Sequence, residues 1–470
     1  EWLKLYAALV GKEAQATADF ESCLASLSGI LDQPSTGKTV SFFYINSSGA
    51  VNVRKSGDYI AKAIRLAGGE YLSFDESGEE NALSTMTIQM ESFYHAAADA
   101  DVLIYNSTID GELQSIDELL ANGIEPLVTL FHWDYPLALH QKGGWLNRES
   151  SDWFAEYAKV VVDALSDRVK YWMTINEPQV FIGCGYAIGK FAPFEVHQAK
   201  DLTRMTHNVL LSHGKAVQVI RKYAKQKPTV GFAFATPCCT PTDNTPEAIA
   251  EAKQKSFAFT KDRFPFELSW WADPIFFGKY PEDAYKILGD DMPEIQEGDM
   301  EVISQPVDFY GVNIYESKAT ENAYGYAENA YIGCARTQMG WPVTPEVLYW
   351  SPLFLYERYQ KPVLLSENGM ASHDWVQLDG KVHDPQRIDF MKRYLRELHR
   401  SMEDGAQVMG YMYWSIMDNF EWADGYDKRF GLVHVDYQTQ KRTVKDSGHF
   451  YGDVIRTNGE AIFSDTWDEK

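Results

Sequence analysis

The sequence predicts an α/β fold of the (β/α)8 barrel type, and three observations carry that reading. From residue 122 onward, short apolar runs alternate with amphipathic stretches, the pattern of a parallel sheet covered by helices. Several runs end abruptly in polar or aromatic clusters, where a barrel gathers its active site. The chain has 470 residues, 45% of them hydrophobic, enough for one barrel-sized core or two smaller ones.

The expected strands are 125–130, 171–176, 229–235, 308–313, 363–366 and 407–414. Five of the six end in a polar or aromatic cluster: "FHWD" after the first, then "NEP", "NIY", "SENG" and "WSIMDNFEW". Between them, 151–165, 202–223 and 388–402 have helical periodicity. Six strands are visible, and a barrel needs two more upstream. The first 115 residues form a separate segment in this reading, followed by a barrel portion over 116–470. A helix is expected over 1–31, a strand over 39–45 and a helix over 56–66, stopped by Gly68-Gly69. Strands follow at 71–74, 87–90 and 102–105, with a polar loop at 75–85. The strand at 102–105 is a candidate for the second barrel position, and 39–45 or 71–74 for the first.

Composition narrows the function. The net charge of −24 argues against nucleic acid and anionic membranes. No apolar run reaches the roughly 18 residues of a membrane span, and no signal-peptide pattern opens the chain, so a cytoplasmic protein is expected. The five cysteines form no CxxC pair, and no His, Cys and Asp cluster has metal spacing, so no cofactor or metal is implied. Thirteen Trp and 27 Tyr supply flat faces with polar tips, equally suited to a core or to stacking on sugar rings.

Two glutamates stand where chemistry is expected. Glu177 ends "MTINE" and precedes Pro178, which disfavours helical geometry at Glu177. Glu367 precedes Asn368-Gly369, a turn signal. Alone, either acid reads as an ordinary solvent-facing residue at a loop start. As a facing pair they can cleave a glycosidic bond, one protonating the leaving oxygen while the other attacks the anomeric carbon or activates water.

Five long motifs sharpen this: "LVTLFHWDYPLAL", "GGWLNRE", "YWMTINEPQVF", "SENGM" and "YWSIMDNFEWADGYDKRFGLVHVDY". On them, residues 116–459 resemble glycoside hydrolase family one, the β-glucosidase and β-galactosidase family. The resemblance implies a (β/α)8 barrel whose third to eighth strands are the six seen here. It implies Glu177 as acid/base, Glu367 as nucleophile, and Asn176 as the partner of the sugar 2-hydroxyl. His132 and Trp133 would line the sugar pocket, with Trp414, Glu421 and Trp422 as its far wall. Tyr315, with Asn313 nearby, would orient the nucleophile, and Trp341 would form the platform for the leaving group. The implied ligand is a small unphosphorylated β-glycoside.

Residues 1–115 depart from that family. They lack its first-strand "QIEG"-like motif and the second strand whose Arg pairs with the nucleophile. The stretches "GKTVSFFYINSSGAVNVRKSGDYIAKAIRLAGGEYL" and "DADVLIYNST" instead resemble siderophore- and cobalamin-type substrate-binding proteins of ABC importers. A chimera joined within the helix at 116–121 is therefore expected. The expected function is a retaining β-glycosidase of reduced activity, acting on β-D-glucosides or β-D-galactosides. The alternatives are a catalytically impaired sugar-binding or structural barrel, and an importer component.

Overall fold

The computed structural model of the chain describes residue 17 and residues 35–45, 51–74, 85–98, 100–105, 116–235, 237–261, 263–318 and 333–465. Apart from residue 17, the helix expected over 1–31 lies outside the described residues, as does most of the loop expected over 75–85. The chain divides into two compact units, Glu1–Gln114 with Asp436–Gln440, and Ser115–Val435 with Lys441–Lys470.

The first unit contains strands β1 (Thr39–Ile45) and β2 (Val51–Arg54), helix α1 (Tyr59–Leu66), strands β3 (Glu70–Tyr71) and β4 (Thr85–Ile88), helix α2 (Met90–Ala97) and strand β5 (Val102–Tyr105). Asp58 opens α1 by accepting from Ile60 N at 2.9 Å, satisfying a donor that the first helical turn leaves free. The strands make a mixed sheet: β2 runs antiparallel to β1 and β4, whereas β3 and β5 run parallel to β1. Val51 and Val53 alternate inward onto Phe93 and Ala97 of α2, with Phe43 4.3 Å from Phe93 between ring centroids. This corrects the expectation that 39–45, 71–74 or 102–105 would fill the first two barrel positions. β1 has hydrogen-bonded neighbours on both edges, and β5 spends its ladder on β1, so neither strand joins the other sheet. The strand expected at 87–90 ends at Ile88, because Met90, Phe93 and Ala97 have the spacing of one helix face.

The sheet of the second unit has six parallel strands in chain order: β6 (Leu127–Phe131), β7 (Tyr171–Asn176), β8 (Thr229–Phe234), β9 (Tyr310–Asn313), β10 (Val363–Asn368) and β11 (Val408–Tyr413). Successive side chains on a strand point to opposite faces. Trp172, Val230, Phe232, Val363 and Leu365 face the large core. Helices cover that side, among them α3 (Ile116–Ala121), α4 (Leu137–His140), α5 (Ser150–Leu165), α6 (Pro178–Ile182), α7 (Ala199–Tyr223), α8 (Pro246–Phe257) and α9 (Leu268–Phe277). They continue with α10 (Glu282–Leu288), α11 (Asp299–Ile303), α12 (Val347–Tyr359), α13 (Pro385–Glu403) and, after a small hairpin of β12 (Val433–Val435) and β13 (Arg442–Val444), α14 (Asp446–Arg456). The alternate residues Met173, Ala233, Phe309 and Leu364, with Leu127, form a second, smaller cluster on the inner face. Gly311 permits β8 and β9 to approach here, since a Cβ there would lie 1.8 Å from the Phe232 carbonyl oxygen.

Candidate active site

The C-terminal strand ends converge. His132 and Trp133 follow β6, Glu177 follows β7, Asn313 ends β9, Glu367 lies in β10, and Trp414 follows β11. Backbone geometry aims several of them. Pro178 starts α6, and Glu177 before it adopts the left-handed region at φ 44°, ψ 61°, rather than the extended or turn conformation that a following proline suggests. Its N–H still donates to the Ala233 carbonyl at 2.7 Å. Trp133 (φ 77°) and Trp422 (φ 45°) are likewise left-handed, so three of the expected site residues hold conformations that side chains with a Cβ resist. Glu367 sits within the strand rather than after it. The ladders of β10 slip between Leu365 and Glu367 on one side and between Leu365 and Asn368 on the other, a bulge that redirects the glutamate. Asn368 then donates to the Ile314 carbonyl at 2.7 Å and accepts from Tyr411 OH at 2.7 Å. Gly369 passes beneath Trp414, where a Cβ would meet the Trp414 carbonyl oxygen at 2.1 Å.

A hydrogen-bond chain runs from Ser366 through Asn313 to Glu177, Asn176 and His132. Ser366 Oγ donates to Asn313 Oδ1 at 2.6 Å, and Asn313 Nδ2 donates to Asn176 Oδ1 at 3.0 Å and to Glu177 Oε1 at 2.8 Å. Asn176 Nδ2 lies 3.2 Å from His132 Nε2 and can only donate, so Nε2 accepts and the proton resides on Nδ1. Burial lowers the His132 pKa to about 4, which keeps the ring neutral near pH 7. Tyr315 OH donates to Glu367 Oε2 at 2.6 Å.

The carboxyls feel a common environment. Burial raises Glu177 to about 7; the Asn313 hydrogen bond opposes that rise and Glu421 adds to it. Glu367 is pushed well above the usual carboxylate range, first by burial and then by the charge of Glu177, against the Tyr315 bond. Burial also raises Glu421 to about 7, against a hydrogen bond involving Trp414, and its Oε2 has no partner among the described residues. No Lys or Arg nitrogen among the described residues comes within 4.0 Å of any of the three.

Several aromatic side chains gather beside these acids. The His132 ring lies 5.7 Å from Trp414 and stacks on Trp422 at 6.1 Å, and Trp133 meets Trp422 at 4.4 Å. Trp341 is placed beside Tyr315 at 5.2 Å and Phe430 at 6.1 Å. Phe191, which the motif reading overlooked, meets Trp133 at 5.7 Å. A cavity of about 480 Å³ is bounded by His132, Asn176, Glu367, Trp414 and neighbouring residues. Among the described residues, no three His, Cys, Asp or Glu side chains are grouped to hold a metal, and no helix is long and apolar enough to cross a membrane.

Beneath the wall lies a buried ionic cluster that sequence reasoning missed. Lys445 donates to Asp374 at 2.6 Å and Asp418 at 2.8 Å, and Arg429 donates to Asp418 at 2.6 Å. The fully buried Arg387 pairs with Asp374 at 2.6 Å and with Asp384. Asp418 also receives Gly431 N at 3.0 Å and Val435 N at 3.3 Å, thereby closing the loop that carries Glu421 and Trp422.

The pattern for "Glycosyl hydrolase family 1" matches residues 113–460. The chain belongs to glycosyl hydrolase family 1. Its fold is the (β/α)8 class, and β6 to β11 are the third to eighth barrel strands. Beta-glucosidase A of Thermotoga maritima is 40% identical over 348 residues, covering 73% of this chain and 76% of that one. Beta-glucosidase A of Acetivibrio thermocellus is 40% identical over 350 residues, and Beta-glucosidase 44 of Arabidopsis thaliana 34% over 378. Among solved structures, the family 1 β-glucosidase from Thermotoga maritima aligns with a TM-score of 0.65 at 39% identity, covering 73% of this chain and 76% of that one. Its complex with glucoimidazole aligns equally well. The family match leaves residues 1–112 outside it.

Proposed function

We propose that the chain is a retaining β-glycosidase of β-glucosidase type, using Glu177 as acid/base and Glu367 as nucleophile. The carrying observation is the Ser366–Asn313–Glu177 chain beside the Tyr315–Glu367 pair, which holds two buried acids at the C-terminal ends of β7 and β10. A glycosidic oxygen takes the Glu177 proton as the Glu367 carboxylate bonds to the anomeric carbon. Water then releases the sugar, with Glu177 as base. Asn176 is the donor for the sugar 2-hydroxyl. His132, Trp133, Trp414, Glu421 and Trp422 hold the remaining hydroxyls and the ring face, and Trp341 the leaving group.

The same electrostatics favours reduced turnover. Burial and the charge of Glu177 disfavour the ionised form of Glu367, which is the form that must attack. A sugar-binding barrel with impaired chemistry is the second reading, supported by the absence of a cation at Glu367 among the described residues. The first unit, on its sequence motifs, is a foreign importer-type segment fused to the barrel portion.

Trapping decides between the readings. A 2-deoxy-2-fluoro-β-glucoside with a good leaving group should add one sugar mass to the peptide containing Glu367. An unmodified peptide after long incubation, or a label elsewhere, removes Glu367 from the role.

A further inference from the structure

Residues 188–198 form a loop between the turn Gly183–Ala187, which follows α6, and the start of α7, and none of its side chains is buried. Ile188, Phe194 and Val196 are exposed, and Phe194 holds the left-handed region at φ 63°. Apolar burial therefore does little to keep this loop in place, and segments with few buried contacts open at low cost. Its backbone is tied to the preceding turn. Phe191 N donates to the Cys184 carbonyl at 3.1 Å, Glu195 N to that of Gly185 at 3.0 Å, and His197 N to that of Tyr186 at 2.8 Å.

A single carboxylate adds a tie of another kind. Glu195 Oε1 lies 3.1 Å from His140 Nε2, and Glu195 Oε2 lies 2.8 Å from His197 Nε2. An ionised carboxylate only accepts, so both imidazoles donate from Nε2. His140 closes α4, whereas His197 belongs to the loop and has Nδ1 3.5 Å from Asp201 Oδ2 in the first turn of α7. The buried ring of Tyr186 lies 6.5 Å from His140 and 6.0 Å from His197, which limits how far either imidazole can turn. An isolated exposed ion pair contributes little. Here one side chain makes two such bonds, and one of them crosses to α4 where burial offers no alternative.

The loop also touches the site. Phe191 meets Trp133 at 5.7 Å between ring centroids, and Trp133 Nε1 donates to the Asn176 carbonyl at 3.1 Å. We propose that Glu195 is a positioning residue for the sugar pocket, clasping the 188–198 loop to His140 so that Phe191 stays against Trp133. The clasp stands on geometry alone; its effect on substrate rests on the glycosidase reading.

The test compares the full chain with Glu195→Ala and Glu195→Gln, each checked for unchanged circular dichroism. Amide exchange read by mass spectrometry over 183–198 should quicken about tenfold in Glu195→Ala. KM for an aryl β-glucoside and Kd for deoxynojirimycin should rise together by about three- to tenfold while kcat stays within about twofold, because a wall contact serves bound substrate and transition state alike. Glu195→Gln should restore most of both, since His197 can donate from Nδ1 to Asp201 and accept the new amide at Nε2. Unchanged exchange in Glu195→Ala overturns the clasp. Faster exchange with unchanged KM and Kd, or a loss confined to kcat, overturns the positioning role. Glu195→Gln as impaired as Glu195→Ala overturns the hydrogen-bond assignment. A wild type that neither binds deoxynojirimycin nor turns over substrate, with the exchange result intact, upholds the clasp and tells against the glycosidase reading instead.

Discussion

Tyr315 donates its phenol to Glu367 at 2.6 Å while Asn313, two residues earlier, donates to Glu177 at 2.8 Å. The end of β9 and the residues just after it thus supply donors to both acids, with Asn313 also lowering the Glu367 pKa. Hydrogen bonds to a charged acceptor are worth about 1.5–3 kcal/mol. Tyr315→Phe should therefore lower kcat by about one to two orders of magnitude and leave KM within a few-fold. An unchanged kcat would mean that the phenol does not act on the nucleophile.

Glu177→Ala should separate substrates by leaving group. General acid assistance is worth about 10²–10⁴-fold when the leaving oxygen is basic, and little for an activated aryl glycoside. Equal losses on alkyl and dinitrophenyl glucosides would remove Glu177 from the acid role. Removing its Asn313 donor by Asn313→Leu should move the basic limb of the pH–rate profile upward, because that bond favours the ionised carboxylate.

The buried acids also set stability against pH. Glu177 and Glu421 have folded pKa values of about 7, above the ordinary 4.5. The folded chain therefore binds more protons than the unfolded one, and stability is fully present below about pH 4.5 and lost as pH rises through 7. Glu177→Gln should raise stability at pH 8 by up to about 3 kcal/mol and change little at pH 4.5. A melting temperature of the wild type that climbs between pH 5 and 8 while that of Glu177→Gln stays flat would contradict this.

Lys445→Met leaves Asp374 and Asp418 each with one cation instead of two. Breaking a buried pair from one side costs about 3–5 kcal/mol. The expected signs are a lower denaturant midpoint and looser packing of Trp422 in fluorescence. Adding Asp418→Asn should cost less than the two single losses summed, since both act on one bond.

Legibility in the sequence followed the range of the forces involved. The strand at Tyr171–Asn176 emerged to the residue because an apolar run stops against a polar "NEP". The strand Val51–Arg54 was missed: four residues with Val51 and Val53 inward give too little alternation to rise above background. Helix Met90–Ala97 was hidden by its β-prone neighbour "TMTI". The acids and the aromatic wall were visible because their motifs are local. The double donation by Asn313 was not, because β9 ends there and the side chain leaves the strand's alternation. Asp374, Asp418 and Lys445 are scattered over the chain with no shared period, and only the fold unites them.

The left-handed backbone at Trp133, Glu177 and Trp422 bears on how this chain would behave under laboratory selection. Each such residue costs about 1–2 kcal/mol relative to an unstrained one, and glycine relieves that cost at all three. A library sorted only for heat resistance would drift towards glycine or asparagine at these positions and dismantle the proposed sugar pocket as it went. Ranking variants on turnover and melting together would keep both.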